Sequence, residues 1–419
     1  MTRLSRIHPY PGMIADDLAV ELAEAHVRRG DRVLDPFCGT GRTLLAAAQL
    51  GATAVGVDTN PLAGLLVKAK AGRCSAKALE RFATELGRRV LPGWRGIECD
   101  LEEGRKVSWF SAKARRELSG LICFINRRNL RPQELCLVAG ILSATAREVS
   151  YCRNDQWKIH RLAPAKRSAF KKSAYLVFLN RLNHVVAELR SSGAVPGSCK
   201  AILGDSRRLR EVLNANSEGR RFDLVLSSPP YGDSRTTVQY GGVSTLCLGV
   251  LKHLKGLKVR YDQAGSIDRC CLGGSLQSVG RPSRHLEQMA GRFWSGRDTR
   301  GSKRRVIVFL NDLEQCCREI VSVMKVDGTA IFVVARRTVG GSRVKLDRYL
   351  VDVMGRLGCT CERVTKRRIS GKLTPYVIHS RGNSSRRSQG RRWRVATMRE
   401  EYVLFFKKGP PNGPAGLRN

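Results

Sequence analysis

Two stretches of the chain alternate short apolar runs with helix-like segments. In the first, Val33 and Leu34 make a short apolar run, a turn containing glycine follows, and Thr43 to Leu50 has helical composition. A further apolar run, Ala54 to Val57, ends at Asp58. Short apolar runs bounded by turn residues predict buried strands. Strand, turn, helix and strand in this order predict parallel strands of an α/β sheet, because parallel neighbours need a crossover connection.

The alternation lapses in the middle of the chain and resumes after residue 305. Apolar spacing predicts a helix from Met13 to Arg29 that Gly30 stops, and several helices between residues 76 and 190. The other predicted elements are helices at Arg131 to Val149, Ser173 to Leu189, Leu310 to Val326 and near Leu346 to Leu357, and strands at Ile331 to Val334 and Glu401 to Phe406.

A glycine turn joins the first predicted strand to its helix. Gly39 and Gly41 suit such a turn, because glycine adopts positive φ and leaves no Cβ between the backbone and a ligand. Asp58 follows about 20 residues on, where a carboxylate accepts the ribose hydroxyls of a nucleoside. With Asp35 before the turn, two carboxylates suit a cationic, hydroxyl-rich ligand such as S-adenosylmethionine. The alternative is an ordinary β–α turn.

A second motif, Ser-Pro-Pro-Tyr, ends another apolar run at residues 228 to 231. The serine supplies a polar acceptor, the prolines stiffen the backbone and lack an N–H, and the tyrosine offers an aromatic face. Such a group suits a flat ring that carries an amino group, and it indicates chemistry on a nucleobase. Taken alone, the motif is equally consistent with a proline turn after a strand.

Together the two motifs resemble the amino-methyltransferases of DNA, which methylate N4 of cytosine or N6 of adenine. Residues His8 to Pro11 resemble the family segment that packs over the methionine part of the cofactor, and Ile202 to Ser206 resemble its strand end and acid beside the adenine. Met324 to Gly328 followed by Ala330 to Val334 resemble a turn and strand common to this fold, and Met398 to Phe406 resemble its last strand. The resemblance implies an α/β, Rossmann-like S-adenosylmethionine-dependent methyltransferase fold with a mainly helical insertion.

The resemblance also implies roles for the site residues. The hydroxyl of Ser228 and the carbonyl of Pro229 accept hydrogen bonds from the target amine, and Tyr231 stacks on a base flipped out of the duplex. The amine then attacks the sulfonium methyl in a direct in-line displacement that releases the thioether, with no metal. The implied catalytic residues are Ser228, Pro229, Pro230 and Tyr231, and the implied cofactor-binding residues are Asp35, Pro36, Phe37, Gly39, Thr40, Gly41, Asp58 and Asp205.

The first residue of the catalytic motif bears on the target base. In this family serine is commoner among cytosine-N4 enzymes and aspartate among adenine-N6 enzymes, so Ser228 favours cytosine N4. The chain has no Pro-Cys dipeptide, which argues against C5 methylation. The resemblance implies a bacterial modification enzyme that acts on double-stranded DNA, with a cognate restriction endonuclease as functional partner only. The alternatives are adenine-N6 methylation, methylation of an RNA base amine, and an inactive nucleic-acid-binding partner.

The matched segments imply a domain organisation interrupted by two insertions. Either insertion could contact DNA, and the helical one could instead be a structural cap. The predicted parts are residues 1–75, N-terminal segment and cofactor-binding half; 76–190, helical insertion; 191–231, catalytic half; 232–305, loop-rich insertion with possible target recognition; 306–408, C-terminal part of the methyltransferase domain; and 409–419, a disordered tail.

The charge of the chain is strongly basic. Lys and Arg total 75 against 36 Asp and Glu, a formal net charge of +39, which indicates a polyanionic partner. Basic residues dominate between Cys152 and Lys200, and no acid occurs from Lys366 to Arg394. DNA phosphates explain this excess and predict steep salt dependence. Solvated surface or a general arginine bias is the alternative.

The cysteines and the apolar runs exclude other classes. The 14 cysteines show neither a Cys-x-x-Cys pair nor zinc-ligand spacing with histidine, so we expect mostly buried thiols in a reducing compartment and no metal. No apolar run reaches the length of about 18 residues that a membrane span needs, and no signal peptide is evident. We therefore expect a cytoplasmic bacterial protein that DNA binding associates with the nucleoid.

Overall fold

The computed structural model describes most of the chain. The described residues are 4–5, 7–90, 101, 108–153, 159–193, 195–233, 239–260, 266–275, 286, 288, 302–339, 342–369, 377–380, 393–396 and 399–410. Met398, much of the loop-rich stretch 232–305, most of the basic loop 367–394 and the tail from residue 411 lie outside the described residues.

The central strands of the sheet carry buried apolar side chains on both faces. Val33, Leu34, Val225 and Leu226 are all fully buried, as expected for parallel strands that helices cover on each side. The strands are β1 Arg32–Asp35, β2 Thr53–Asp58, β3 Ser198–Leu203, β4 Phe222–Ser227, β5 Met324–Ala335, β6 Arg337–Val339, β7 Ser342–Val344, β8 Cys359–Arg368, β9 Val377–Ser380, β10 Trp393–Ala396 and β11 Glu400–Lys408.

The main sheet has seven strands in the order β3-β2-β1-β4-β5-β11-β8. β2 lies parallel to β1 and β3, and β4 lies parallel to β5. β11 is antiparallel to both of its neighbours, β5 and β8. β6 with β7 and β9 with β10 form separate antiparallel pairs. The predicted α/β, Rossmann-like methyltransferase fold is confirmed.

Helices connect the strands. They are α1 Asp16–His26, α2 Arg42–Gln49, α3 Pro61–Ala71, α4 Ala76–Val90, α5 Ala112–Asn126, α6 Pro132–Val149, α7 Pro164–Ser168, α8 Ala174–Ser191, α9 Leu209–Ala215, α10 Gly241–Leu251, α11 Ile267–Cys270, α12 Ser302–Val323 and α13 Leu346–Arg356. A single 3₁₀ turn, Ser206–Arg208, precedes α9.

The chain divides into two compact units. Unit 1 comprises Met1–Asp205 and Val238–Asp268, and unit 2 comprises Ser206–Thr237 and Arg269–Asn419. Unit 1 therefore holds β1 to β3 with the helical stretch and α10, and unit 2 holds β4, β5, β8 and β11. The boundary after Asp205 lies between the predicted cofactor and catalytic motifs.

In the helical stretch of unit 1, helix α6 is mostly buried and other helices pack around it. Most of α6 is buried, including Leu137, Ile141 and Val149, and α6 packs against α3, α8 and α10. α8 begins where Ser173 caps it and where Glu117 of α5 accepts the N–H of Ala174 at 2.5 Å. The inner part of the insertion is thus an apolar core, and its outer helices carry the charges.

The predicted elements were found, with differences at their ends. α12 starts at Ser302 and stops at Val323, so the predicted helical end at Val326 was wrong. The predicted turn at residues 324–328 lies inside β5, where Asp327 takes a φ of 58° and the register with β4 shifts. α1 ends at His26, before Gly30, because Val27 is already extended.

The described cysteines are all free thiols. Fewer are buried than predicted, since about half of those described are half-buried or exposed. The buried ones are Cys38, Cys152, Cys247, Cys316, Cys317 and Cys359.

Candidate active site

The glycine turn of unit 1 has the geometry that its sequence predicts. Gly39 and Gly41 have φ values of 48° and 76°, in the left-handed region that favours glycine. The N–H of Gly41 donates to the carbonyl oxygen of Cys38 at 2.7 Å, which closes the turn, and Gly41 then begins α2. Phe37 and Gly39 stay half-buried at the outer surface of this turn.

Asp58 ties the end of β2 to the glycine turn. Its Oδ2 accepts the N–H of Gly39 at 2.9 Å, and its Oδ1 accepts the N–H of Asn60 at 2.8 Å. Burial raises the pKa of Asp58 to about 6, against the effect of the two backbone donors. Each carboxylate oxygen has a second lone pair, so the group retains capacity to accept hydroxyl protons. A ribose fits this acceptor set.

Asp35, Pro36 and Thr40 lie beneath the turn and are buried. Asp35 accepts the N–H of Phe37 at 3.0 Å and the hydroxyl of Thr43. The structure therefore places Asp35 where it shapes the turn, while Asp58, Phe37 and Gly39 form its outer side. The two acids that flank the turn in sequence differ in their surroundings.

Asp205 follows β3 and is half-buried. The N–H of Gly204 donates to the carbonyl oxygen of Asp58 at 3.0 Å, and β2 pairs in parallel with β3 so that Asp58 lies opposite Leu203. The structure thus brings Asp58 and the Gly204–Asp205 segment together at the carboxyl edge of β2 and β3. Ligands of open α/β sheets bind at this edge.

The N-terminal segment packs beside the same turn. Asn60 donates from its amide nitrogen to the hydroxyl of Tyr10 at 2.7 Å and to the hydroxyl of Ser244 at 2.8 Å. A Cβ placed on Gly39 would meet the ring of Tyr10 at 3.6 Å. Tyr10 is therefore a neighbour of the turn, as the resemblance implies.

His8 is a buried anchor of that segment. Its Nε2 lies 2.9 Å from the hydroxyl oxygen of Ser143 on α6, and it is 1% exposed. Burial, reinforced by Arg147, lowers the pKa of His8 to about 3, so the ring is neutral at physiological pH. Arg147 also donates to the carbonyl of Pro9 at 2.9 Å. The helical insertion thus holds the N-terminal segment in place.

The catalytic motif lies in unit 2, directly after β4. Ser227 is fully buried, while Ser228, Pro230 and Tyr231 are half-buried. The hydroxyl oxygens of Ser228 and Tyr231 are 3.1 Å apart, and the hydroxyl of Tyr231 donates to Oε1 of Glu401 at 3.4 Å. Burial raises the pKa of Tyr231, and the nearby Glu401 raises it further, so the phenol stays protonated.

The segment after the motif is held by a buried acid. Asp233 is 2% exposed and forms an ion pair with Arg337 at 3.2 Å. A Cβ on Gly273 would lie 2.8 Å from the Cβ of Asp233, so the two segments pack closely. Asp233 therefore fixes the backbone two residues beyond Tyr231.

Sequence reasoning missed Lys70 and Glu401 and gave Asn60 no role. Asn60 before a proline is a local helix-capping signal, and its Oδ1 does accept the N–H of Leu62 at 3.1 Å. Lys70 donates to the carbonyl of Thr40 at 2.9 Å from a mostly apolar helix, in which Lys68 is the other lysine. Glu401 contacts a residue 170 positions away, and no local pattern marks it.

Two features were not found in the part of the chain that the structure describes. It contains no cluster of three or more His, Cys, Asp or Glu side chains arranged to hold a metal ion. Within the same residues, no helix has both the length and the apolar character needed to cross a membrane.

A family model matches the N-terminal part of this chain, and one known protein is similar to it over nearly its whole length. A family model described as DNA methylase, of the N6/N4 amino-methyltransferase kind, matches residues 4–63. These residues include the glycine turn, Asp58 and Asn60. The type II methyltransferase M.MvaI of Kocuria varians is 26% identical over 435 residues, which cover 96% of this chain and 90% of that protein.

The other matches cover only a short segment or superpose with a low TM-score. The tRNA (guanine(10)-N2)-dimethyltransferase of Methanothermobacter thermautotrophicus is 46% identical over 50 residues, 12% of this chain and 15% of that enzyme. The structure of the rRNA methyltransferase aviRa from Streptomyces viridochromogenes superposes with a TM-score of 0.31 at 12% identity, covering 96% of this chain and 88% of that one. The strand order assigns the fold without that superposition.

The full-length relative, the family model and the fold agree with one another. The glycine turn, Asp58 and the half-buried outer face of the turn fit an adenosine cofactor. The sheet has the strand order of the Rossmann-like methyltransferase fold. The chain is therefore similar to the DNA amino-methyltransferases, and its cofactor is S-adenosylmethionine.

Proposed function

We propose that this DNA methyltransferase modifies N4 of cytosine within a specific double-stranded sequence. The observation that carries the choice of base is Ser228 at the first position of the catalytic motif. Its hydroxyl is half-buried at the end of β4 and 3.1 Å from the hydroxyl of Tyr231. A neutral hydroxyl acceptor beside an aromatic ring suits the amine of cytosine.

The catalytic residues act by positioning and polarisation. The lone pair of an exocyclic amine is delocalised into the ring, so the amine is a poor nucleophile until its N–H groups are held. Ser228 Oγ and the Pro229 carbonyl accept those N–H groups, and Pro229 and Pro230 keep the backbone stiff. Tyr231 stacks on the flipped base, a contact worth about 1–3 kcal/mol per base.

The cofactor supplies an activated methyl group on a sulfonium centre. In unit 1 we assign Asp58 to the ribose hydroxyls and Asp205 to the adenine. Phe37 and Gly39 line the outer face of the turn, and Asp35 and Thr40 maintain its shape from below. Holding both reactants in one geometry accounts for most of the expected rate enhancement.

One basic segment of unit 1 supports DNA contact by the helical insertion. Tyr151 packs edge-on against Phe170, with ring centroids 5.9 Å apart, and Arg161 lies 5.6 Å from the centre of the Tyr151 ring. The described residues of 152–172 contain no acid. Its cations are Arg153, Arg161, Lys166, Arg167, Lys171 and Lys172. Aromatic rings among cations suit a nucleic-acid backbone.

The biological role follows from these assignments. We assign residues 76–190 to DNA contact and part of 232–305 to target recognition. The enzyme then acts on the bacterial nucleoid as the modification half of a restriction-modification system. Its methylation protects host DNA from a cognate restriction endonuclease, a functional partner that need not bind this chain.

Nucleoside mass spectrometry tests the proposal. DNA from cells that express the protein is compared with DNA from cells that express Tyr231→Ala. We expect N4-methylcytosine with the wild type and its loss with the variant. N6-methyladenine in place of it would overturn the assignment of the base. No modified base in DNA, with cofactor binding intact, would overturn DNA as the substrate.

A second candidate function is methylation of an RNA base amine. The short match to a tRNA guanine-N2 dimethyltransferase favours it. The same mass spectrometry applied to cellular RNA separates the two, because an RNA enzyme leaves DNA unmodified. The near full-length likeness to a type II methyltransferase supports the DNA substrate instead.

A further inference from the structure

Glu401 stands next to the catalytic motif of unit 2 without belonging to it. It lies on β11, where it pairs with Ala335 of β5 on one side and with Arg367 of β8 on the other. It is 8% exposed, and its Oε2 is 4.0 Å from Nε of Arg367. A residue between two hydrogen-bonded neighbours has a rigid backbone, and the guanidinium of Arg367 places a positive charge beside its carboxylate.

The three oxygen atoms in this part of unit 2 have different hydrogen-bonding capacities. An ionised carboxylate only accepts, whereas each hydroxyl has one proton to donate. The hydroxyl oxygen of Tyr231 is 3.4 Å from Glu401 Oε1 and 3.1 Å from Ser228 Oγ. Its single proton therefore goes to the carboxylate, which leaves its oxygen to accept the proton of Ser228.

The direction of these bonds matters for the target amine. When the proton of Ser228 points at Tyr231, the lone pairs of Ser228 Oγ are directed elsewhere and can accept an N–H group. With the opposite direction, Tyr231 would donate to Ser228, and the serine proton would be aimed at the amine. A donor facing an amine that must give up N–H bonds would oppose the reaction.

We infer that Glu401 is a positioning residue that sets the direction of the Tyr231–Ser228 hydrogen bond and so makes Ser228 an acceptor for the target amine. The inference rests on the proposed methylation of a base amine. It gives the tyrosine hydroxyl a function apart from the stacking of its ring. Glu401 itself touches neither the base nor the cofactor in this assignment.

Four variants test this inference on the full-length protein. Glu401→Leu removes the acceptor, Glu401→Gln keeps a carbonyl acceptor without the charge, and Tyr231→Phe removes the hydroxyl while keeping the ring. The fourth variant combines Glu401→Leu with Tyr231→Phe. Initial rates are measured with unmethylated bacterial genomic DNA and a radiolabelled methyl donor, and the product is identified by nucleoside mass spectrometry.

We expect Glu401→Leu to lower kcat about tenfold, the loss typical of one hydrogen bond to a charged group. Glu401→Gln should restore most of the rate. Tyr231→Phe should cost about as much as Glu401→Leu, and the double variant no more than either, because all three break the same chain of bonds. The dissociation constant for S-adenosylmethionine should stay unchanged throughout.

Three results would overturn the inference. These are a wild-type rate in Glu401→Leu, an equal loss in Glu401→Gln, and additive losses in the double variant. Tyr231→Phe guards against misfolding of Glu401→Leu, because it breaks the same bond from the other side and leaves the ion pair of Glu401 with Arg367 intact. A wild-type protein that methylates no base amine would refute the proposed function and this inference together.

Discussion

Nζ of Lys70 lies 2.9 Å from the carbonyl oxygen of Thr40, inside the cofactor turn, and Lys70 is fully buried. A lysine on α3 thus supports the glycine turn from the side that no ligand reaches. Burial, reinforced by the nearby Arg42, lowers the pKa of Lys70 to about 7. The amine donates a hydrogen bond in either protonation state, so it can hold Thr40 over a wide pH range.

The low pKa of Lys70 predicts a pH-dependent stability. Between pH 7 and the ordinary pKa of lysine, 10.5, the unfolded chain keeps a proton that the folded chain has released. The free energy of unfolding therefore rises with pH across this window, by an amount on the order of a few kcal/mol. Urea unfolding of the wild type and of Lys70→Met at pH 7, 8.5 and 10 measures the difference.

The variant serves as the reference because other groups titrate in the same window. Buried thiols that do not interact with Lys70, such as Cys317, contribute equally to both proteins, so the difference between the two reports Lys70 together with its coupled neighbour Cys199. A difference that stayed constant from pH 7 to 10 would show that Lys70 is protonated in the folded protein. The assignment of a neutral, buried amine would then be wrong.

The raised pKa of Asp58 predicts a pH-dependent cofactor affinity. The ionised carboxylate only accepts, whereas protonation turns one of its oxygens into a donor, so S-adenosylmethionine should bind with constant affinity well above pH 6 and more weakly below it. At pH 5 the affinity should be about tenfold lower. Isothermal titration calorimetry from pH 5 to 8 measures it.

Asp58→Asn is the matched control for that titration. The amide still accepts at one oxygen but cannot ionise, so this variant should bind weakly and without a step near pH 6. Lys70→Met should keep the step, which excludes the lysine as its source. A wild-type affinity that did not change between pH 8 and 5 would contradict the assignment of Asp58 to the ribose.

The two turn glycines should respond differently to alanine. At Gly41 a Cβ would lie 2.7 Å from Cγ2 of Val67, whereas at Gly39 the nearest atom is the Tyr10 ring at 3.6 Å. Both positions have positive φ, so both alanines are strained. Gly41→Ala should lower the free energy of unfolding by about 1–3 kcal/mol, and Gly39→Ala by less.

The two variants should rank in the opposite order for cofactor affinity. Gly39→Ala should lower that affinity more than Gly41→Ala does. A methyl group on Gly39 projects from the half-buried outer face of the turn. Gly39→Ala should therefore lower cofactor affinity although the variant protein remains folded. Thermal unfolding and calorimetry on the same preparations separate the two effects. Equal destabilisation by both alanines would mean that Val67 moves aside readily.

Asn60 joins three segments of unit 1. It caps α3, and its amide nitrogen donates to Tyr10 and Ser244. Asn60→Ala removes the cap and both donors and should lower the free energy of unfolding by about 2 kcal/mol. Urea unfolding measures this, with Ser244→Ala as the matched partner. The double variant should lose less than the sum of the two, because one bond is shared; simple additivity would contradict the contact.

The basic segment of residues 152–172 should govern DNA affinity. Lys166 and Lys171 are exposed, so reversing both to glutamate should weaken binding to any duplex and reduce the slope of log affinity against log salt by about 0.9 for each phosphate that is no longer neutralised. Fluorescence anisotropy with a short duplex measures this. Arg28→Glu with Arg348→Glu makes the same charge change at exposed residues outside the segments assigned to DNA, and should leave the slope nearer to that of the wild type.

Local patterns predicted the parts of this protein that local chemistry determines. The glycine turn and Asp58 after the second strand depend on neighbours within a few dozen residues, and their positions follow from backbone rules. Helix ends were less predictable. α12 stops at Val323, three residues before the predicted end, because Met324 is buried against β4 as the start of β5.

Long-range partners could not be predicted in the same way. The hydrogen bonds from Lys70 to Thr40 and from Tyr231 to Glu401 cross 30 and 170 residues of sequence. Nothing near Glu401 distinguishes it from the other acids of the chain, because its function depends on strand order. The serine and tyrosine of the catalytic motif were identified from sequence, whereas their mutual hydrogen bond appears only in the fold.

Helix α10 has a consequence for the synthesis of the protein. Its residues Ser244 and Cys247 contact Asn60 and His8, and most of the helix is buried in unit 1. Yet the ribosome produces α10 only after β4 and the catalytic motif, which belong to unit 2. The apolar surfaces of α3 and α6 in the nascent unit 1 therefore stay uncovered until α10 emerges from the ribosome. Unit 1 therefore cannot finish folding cotranslationally until the first strand of unit 2 has left the exit tunnel.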